Sequence, residues 1–269
     1  MDETSWARRA PQSEPEIRTA DVTGFVLEAA CWGATHAQGL ALLDEPIPAA
    51  VEAAERLLFS LGALDAEGRP TSLGRQLAQL PLSPRLGAAL LAVGTRHAAE
   101  ICALLEEELR LPGADLAAGW RKAGAASPTW KQQVRRLQGI LRGLEDLDGL
   151  GEFGGPGGLG ETGERSSEPS GQMAADEEIA IVVARAYPER IARVKPGTGR
   201  YLLASGTGAV LPEHSALQGE KWLAIAQLDR AQGRADAVIR AAVALDEPLA
   251  LELGSRQITQ RREIIMRGG

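Results

Sequence analysis

The sequence predicts a mixed, mainly α fold in which a winged helix and a bundle of helices precede a small antiparallel β domain. Three observations lead to this prediction. Apolar residues recur at helical spacing from Asp21 to about Gly143. A segment rich in Gly, Ser and Glu then interrupts the chain between residues 149 and 172. Beyond it, short apolar or alternating runs are separated by Gly, Pro and Asp turns, a pattern typical of strands.

The first two helices are delimited by residues that favour helix ends. The first lies between Asp21, a favoured N-cap residue, and Gly33, a favoured residue just beyond a helix. The second begins at Pro48, which suits a first helical turn, and ends at Gly62.

A short hairpin follows the second helix. Residues 63–65 and 69–71 flank a turn that contains Gly68, and a third helix starts at residue 71 or 72 and ends before Pro81. Two or more short helices followed by a small hairpin are typical of a winged helix.

The sequence from Pro84 to about Gly143 predicts helices and no strands. Its clearest helical segments are "PRLGAALLAVG", "HAAEICALLEEEL" and "TWKQQVRRLQGILRGL". We interpret the Gly-rich segment after them as a flexible linker. One more helix, "DEEIAIVVARA", is ended by Pro188. The predicted strands are "GRYLLASGTGAVL", "KWLAIAQLDR", "ADAVIRAAVAL" and "RQITQRREIIM", and a barrel closed from these runs would be short of strands.

The composition limits the kinds of protein to which this chain can belong. A chain of 269 residues with 44% hydrophobic content is long enough for two or three small domains. No run of 18 apolar residues and no signal-like start occur in the sequence, so we expect a cytoplasmic protein without a membrane partner. Cys31 and Cys102 each fall within an apolar helical pattern, and we expect small buried side chains rather than a disulfide or metal ligands.

No motif for catalysis stands out. The glycine pairs in "PGTGR" and "SGTGA" lack the frame of a phosphate-binding loop, and we interpret them as hairpin turns. The three histidines are far apart, and the acidic runs fit solvated helix faces. We therefore expect no catalytic residue, no metal site and no cofactor in this chain.

The charge pattern is more informative than the net charge of -7. Residues 1–109 and 151–178 are acidic, whereas residues 110–150 carry a net +3 and residues 179–269 a net +4. Alternating basic and acidic zones are compatible with a surface that contacts a polyanion on one side.

Two groups of cations are candidates for that surface. Lys131, Arg135 and Arg142 share one face of a predicted helix, with Arg136 beside them. A second group, Arg193, Lys195 and Arg200, leads into the β domain, together with Arg190. Arginine binds phosphate through a bidentate fork, so these residues are candidates for sequence-independent RNA binding. The competing interpretation is an ordinary solvated surface. Likewise, Trp120, Trp130 and Trp222 could stack on bases or fill the core.

Two long stretches resemble a known family. "PEIRTADVTGFVLEAACWG" and "LLDEPIPAAVEAAERLLFSLGALDAEGRPTSLGRQLAQLPLSPRLGAALL" are similar to the helicase-associated region that follows the second RecA-like domain of DEAH-box RNA helicases. The matching positions are Glu16 to Thr19, Val26 and Leu27, Asp44 to Pro46, Leu61 to Asp65, and Thr71 to Pro84. The later stretch "AYPERIARVKPGTGRYLLASGTGAVLPEHSALQGEKWLAIAQLD" resembles the bacterial HrpB branch.

The resemblance implies a domain order. It places a lead-in from a second RecA-like domain at 1–19, a winged helix at 20–83 and a helical ratchet (HA2) domain at 84–148. The linker then covers 149–175, and a β domain like an oligonucleotide-binding (OB) fold covers 176–269, with "RREIIMRGG" a candidate truncated end.

The resemblance also implies an accessory role. The Walker motif, the D-E-A-H box and the arginine motif of these helicases are not found in the 269 residues. We therefore expect ATP and Mg²⁺ to serve the full helicase and this chain to help form a channel for single-stranded RNA. Its expected partners are that RNA, or another nucleic acid, and the RecA-like motor domains.

The alternative is a winged-helix module without a motor that binds duplex DNA or a protein. Its wing would be the hairpin at 63–71, where one cation, Arg69, stands among Asp65 and Glu67. That composition makes phosphate contact at the wing unfavourable.

Overall fold

A computed structural model of the chain describes residues 14–107, 111–148, 171–229 and 236–255. The chain divides into two compact units on either side of the bond between Pro84 and Arg85. The predicted linker and the last predicted strand, "RQITQRREIIM", fall almost wholly outside the described residues.

The first unit is helical with one small hairpin. Its helices are α1 (Glu16–Thr19), α2 (Thr23–Cys31), α3 (Pro48–Ser60) and α4 (Ser72–Gln79), with a 3₁₀ turn at Thr35–Ala37. The three helices predicted from capping and periodicity all form. At the start of α2, Asp21 Oδ1 accepts a hydrogen bond from the main-chain N–H of Thr23 at 2.9 Å.

Thr71 joins the hairpin to α4. Its main-chain N–H donates to the carbonyl of Ala63 at 3.0 Å, and its hydroxyl accepts from the N–H of Gly74 at 3.1 Å as the N-cap of α4. The hairpin is a single antiparallel bridge between Leu64 and Pro70. Three helices with this hairpin form a winged helix, as the sequence predicts.

Gly74 lies where α4 meets the hairpin, and an added Cβ would overlap the Ala63 carbonyl oxygen. Gly74→Ala should therefore lower the free energy of unfolding by about 1–3 kcal/mol, as overpacking does. Gly24→Ala is the matched control, because a Cβ on that helical glycine meets nothing within 4 Å. Urea denaturation of both variants tests the expectation, which fails if the two substitutions cost the same.

The second unit begins with four helices. These are α5 (Pro84–Val93), α6 (Arg96–Glu106), α7 (Leu116–Ala126) and α8 (Pro128–Asp148), and a fifth, α9 (Gly171–Ala186), leads to the strands. Helix α6 is buried along its length from Ala98 to Leu105 and packs against α8 and α9. Helix α7 was not among the segments that the sequence singles out.

Five strands close into a barrel beside these helices. They are β1 (Ile191–Val194), β2 (Arg200–Leu203), β3 (Gly208–Val210), β4 (Trp222–Asp229) and β5 (Ala237–Ala244), followed by α10 (Glu247–Leu253). The order around the barrel is β1, β2, β3, β5, β4. This is the order of an OB-like barrel.

Two expectations about the β domain need correction. The domain is not wholly antiparallel, because β3 pairs with β5 in parallel while the other neighbours are antiparallel. Nor is the barrel short of strands, since Ile191–Val194 forms β1 and pairs with both β2 and β4. A strand of four residues is too short to display a strand period, so the sequence could not reveal this element.

Tyr187 lies at the junction between α9 and the barrel. The Arg190 guanidinium lies 4.5 Å from the Tyr187 ring centroid and donates to the carbonyl of Ala226 on β4 at 2.6 Å. Arg85 donates to the carbonyl of Ala186 at 3.1 Å and also faces the ring. Burial raises the pKa of the Tyr187 hydroxyl. The Arg190 side chain therefore links Tyr187, at the end of α9, to Ala226 on β4.

Both cysteines are free thiols, as the sequence predicts, but their environments differ. Cys102 is buried on α6, and burial raises the pKa of its thiol to about 12. Cys31 is only half-buried at the end of α2, so its expected full burial is wrong, although partial burial still raises the pKa of its thiol.

Because thiolates are the species that react, iodoacetamide at neutral pH should label Cys31 in the folded protein and label Cys102 only after denaturation. Mass spectrometry of the two tryptic peptides, with and without urea, measures this order. Labelling of Cys102 at the same rate in folded and unfolded protein would contradict the buried position of α6.

Candidate nucleic-acid groove

One face of α8 carries a row of exposed cations. Lys131, Arg135 and Arg142 are exposed, while Val134 and Leu137 on another face are buried towards the bundle. This is the division of faces that the helical spacing predicts.

Lys131 and Arg135 line an open groove of about 690 Å³ between α6, α7 and α8. Its other charged and aromatic lining residues are Arg96, Glu100, Trp120, Arg121 and Trp130. A smaller groove of about 260 Å³ is lined by Gly94, Arg96, Gln138, Leu141 and Arg142. The two adjoin because Arg96 and Gln138 line both. Together they place five cations and one carboxylate, that of Glu100, along α8.

The Glu100 carboxylate holds the groove in shape. Its Oε1 accepts from Arg96 Nε at 3.0 Å, and its Oε2 accepts from Trp120 Nε1 at 3.1 Å. Its main-chain carbonyl also accepts from Trp130 Nε1 at 2.9 Å. Trp120 also forms a T-shaped contact with His97, with 5.5 Å between the ring centroids. Both indoles are therefore fixed by the hydrogen bonds that they donate to one residue of α6.

The cations of the groove differ in how far they are neutralised. Arg96 pairs with Glu100, and Arg121 donates to both oxygens of Asp176 on α9, at 2.9 and 3.2 Å. Lys131, Arg135 and Arg142 form no ion pair with any residue whose side chain the structure describes. Among the described side chains, no carboxylate therefore neutralises these three cations.

Two of the predicted contributors on the helices have other positions. Arg136 is exposed but does not line the groove, because it is turned about 100° around α8 from Arg135. Trp130 is buried with 6% of its surface exposed, so it is a core residue at the floor of the groove. Trp120 is half-buried and forms part of the groove wall.

The predicted cations of the barrel lie at β1 and β2. The Arg193 guanidinium lies 5.3 Å from the ring centroid of Trp222 on the neighbouring strand. Lys195 is exposed in the turn between β1 and β2. Arg200 forms a close ion pair with Asp236, so its charge is largely compensated. None of these three lines the grooves along α8.

Sequence reasoning did not single out Arg96 and Arg121. Arg96 follows Thr95, whose hydroxyl caps α6, and this N-cap could have indicated that Arg96 lies in the first turn. Nothing in the sequence indicates that α6 and α7 face α8 across one groove.

The described residues contain no group of three or more His, Cys, Asp or Glu side chains that could hold a metal ion. Among the same residues, no helix is both long and apolar enough to cross a membrane.

Glu100→Ala should destabilise the second unit by about 1–3 kcal/mol, because the half-buried Trp120 N–H loses its acceptor and Arg96 loses its partner. Glu177→Ala is a suitable control, since Glu177 is exposed on α9, and it should change stability by less than about 0.5 kcal/mol. Urea denaturation followed by tryptophan fluorescence compares the two. Equal stability of both variants would show that Glu100 does not hold the groove.

A winged helix, a helical bundle and an OB-like barrel follow one another along this chain, which is the order that the resemblance to the helicase-associated region of DEAH-box RNA helicases implies. A family described as "Helicase associated domain (HA2), winged-helix" matches residues 54–82. The ATP-dependent RNA helicase HrpB of Escherichia coli is 33% identical over 243 residues, which cover 89% of this chain. The resemblance to the C-terminal region of HrpB-type helicases is thereby confirmed.

Other relatives extend the match. The probable ATP-dependent RNA helicase DHR2 of Saccharomyces cerevisiae is 36% identical over 33% of this chain. A crystal structure of the E. coli DExH-box NTPase HrpB superposes with a TM-score of 0.70 and 31% identity, covering 95% of this chain and 28% of that one. The chain spans 26% of the length of E. coli HrpB and 12% of DHR2.

Proposed function

We propose that this chain is an accessory part of an HrpB-like ATP-dependent RNA helicase and helps to form the channel for single-stranded RNA. The observation that carries the proposal is the row of Lys131, Arg135 and Arg142 along two adjoining grooves, without carboxylate partners among the described side chains. Several phosphate contacts along one strand would give binding that depends on salt and not on base sequence.

The barrel contributes a second set of contacts in this proposal. Arg193 and Lys195 offer exposed cations, and Arg200 contributes less because Asp236 competes with phosphate for its guanidinium. Arg136 approaches RNA only where the strand leaves the groove, since it lies on a different face of α8.

ATP and Mg²⁺ belong, in this proposal, to motor domains that are partners of this region. The residues present do not fit either group, because the sequence has no G-x-x-x-x-G-K-[ST] frame and the described residues offer no cluster of metal ligands. We therefore assign no step of ATP hydrolysis to this chain.

Duplex binding through the wing has less support. The hairpin carries one cation, Arg69, and Asp65 Oδ1 is engaged by the main-chain N–H groups of Glu67 and Arg69. The acidic side chains of the hairpin would repel a phosphate backbone.

The test replaces the three groove cations together, as Lys131→Ala, Arg135→Ala and Arg142→Ala. We expect weak binding of single-stranded RNA by the unmodified chain and a loss in the variant that is largest at low salt. The plot of log affinity against log salt, between about 50 and 200 mM, should become shallower by about 2, because each lost phosphate contact accounts for about 0.7. Fluorescence anisotropy with a labelled oligouridylate measures both quantities.

The control removes the same charge from the winged-helix unit, as Arg18→Ala, Arg56→Ala and Arg69→Ala. It should leave the affinity and its salt dependence unchanged. Duplex DNA serves as the second ligand in both titrations. Equal losses in the two variants, or a preference for duplex DNA that the wing substitution removes, would overturn the proposal in favour of the motor-less module.

A further inference from the structure

Arg121 on α7 lies between two cavities of the second unit. It lines the larger groove along α8, together with Lys131 and Arg135. It also lines a second cavity of about 390 Å³, whose walls include Asp176 on α9. Asp176 does not line the groove along α8. The Arg121 side chain is therefore accessible to an anion from either cavity.

In the structure, the Arg121 guanidinium binds the carboxylate on the side of the second cavity. Its Nη1 donates to both oxygens of Asp176, at 2.9 and 3.2 Å. This ion pair joins α7 to α9 across 55 positions of the sequence. One positive charge of the groove wall is thus held by a carboxylate that lies outside the groove.

The Arg121–Asp176 pair is open to solvent on both sides. The two side chains are 40% and 41% exposed. An ion pair with such exposure is weak, because water screens the charges and both side chains lose rotamer freedom. Neither side chain has a further hydrogen bond or ion pair among the described residues. The pair can therefore open without leaving a buried charge unpaired.

The other ion pair at the groove does not share this property. The Glu100 side chain is only 10% exposed, and its carboxylate also accepts from Trp120 Nε1. Removal of Arg96 would leave that buried carboxylate without a cation, which is costly. Of the two ion pairs at the groove, the Arg121–Asp176 pair is therefore the one suited to exchange of its partner.

We propose that Asp176 competes with the phosphates of single-stranded RNA for Arg121, so that this ion pair lowers the affinity of the groove. When a strand occupies the groove, the Arg121 guanidinium transfers its hydrogen bonds from the carboxylate to a phosphate, since its fork fits both groups. The released Asp176 carboxylate then faces the second cavity. The inference rests on the proposed function, because it concerns the regulation of the same groove.

Competition differs from long-range repulsion. Any carboxylate near the groove repels an anion through a Coulomb interaction that salt screens. Glu177, the next residue on α9, also lines the second cavity and would contribute to such repulsion. Competition depends on Asp176 itself, because Asp176 is the residue that binds Arg121.

The test is Asp176→Asn in the whole chain, titrated with a labelled oligouridylate by fluorescence anisotropy. Asparagine keeps the shape of the side chain and removes its charge, so Arg121 is left to the phosphates. We expect tighter binding and a log affinity against log salt that is steeper by about 0.7, as for one further phosphate contact. The gain in affinity should then be about 2.5 times larger at about 50 mM than at about 200 mM salt. Misfolding of the variant would lower the affinity and could not produce this gain.

The matched control is Glu177→Gln, which removes the same charge from the neighbouring exposed position of α9. It should bind like the unmodified chain. A second comparison introduces Asp176→Asn together with Arg121→Gln, and here we expect no gain over Arg121→Gln alone, because no arginine is released. The competition is wrong if Asp176→Asn gives no gain. Equal gains for Asp176→Asn and Glu177→Gln, or a gain that persists without Arg121, would replace it with long-range repulsion.

The same titrations distinguish the competition from the proposed function. Failure of both the unmodified chain and the Asp176→Asn variant to bind at low salt would overturn the two together. If the triple substitution of Lys131, Arg135 and Arg142 weakens binding while Asp176→Asn gives no gain, the proposed function stands and the competition alone is rejected.

Discussion

The burial of α6 is the constraint on which the second unit depends. Its side chains from Ala98 to Leu105 are enclosed, with α8 on one side and α9 on the other. A helix hydrophobic on all sides must lie at the centre of its domain. The one carboxylate in this buried run, Glu100, is tolerated because three donors satisfy its oxygens and carbonyl. The side chains of Arg96, Trp120 and Trp130, which line the groove, are therefore anchored to the buried helix through hydrogen bonds to Glu100.

This construction explains how an acidic protein can present a basic surface. Asp176 on α9 forms an ion pair with Arg121, and Glu100 forms one with Arg96, so these two positive charges are neutralised. Arg96, Glu100 and Arg121 line the groove, whereas Asp176 approaches Arg121 from α9. Lys131, Arg135 and Arg142 on α8 form no ion pair with either of those carboxylates. The net charge of -7 thus describes the whole chain and not the face along α8.

Periodicity predicted the long helices from their apolar stripes, and residues that favour helix ends marked the bounds of α2 and α3. It also placed Lys131, Arg135 and Arg142 correctly on one face, since helical geometry alone decides that relation. Helix α7 was less visible because Ala and Gly dominate its sequence. The short strand β1 carried no readable period. Parallel pairing of β3 with β5 is a tertiary relation between distant segments, and local sequence does not encode it visibly.

Contacts between distant elements set the limits of the site prediction. Arg200 looked like a free cation because Asp236, its partner, follows 36 positions later on the far side of two strands. Arg96 and Arg121 joined the groove from separate helices. The family resemblance implied the order of the domains. Like the periodicity, it could not indicate which cations already form ion pairs with carboxylates.

The length of α8 has a consequence for an RNA strand that moves along this helix, as in the proposed function. Lys131 and Arg142 are eleven residues apart, about 16 Å along the helix axis, which is twice the screening length of about 8 Å at physiological salt. The two ends therefore act on an anion almost independently. In the proposed function, a single strand of RNA along α8 would exchange one phosphate contact at a time, so its movement would cross several small barriers instead of one large barrier.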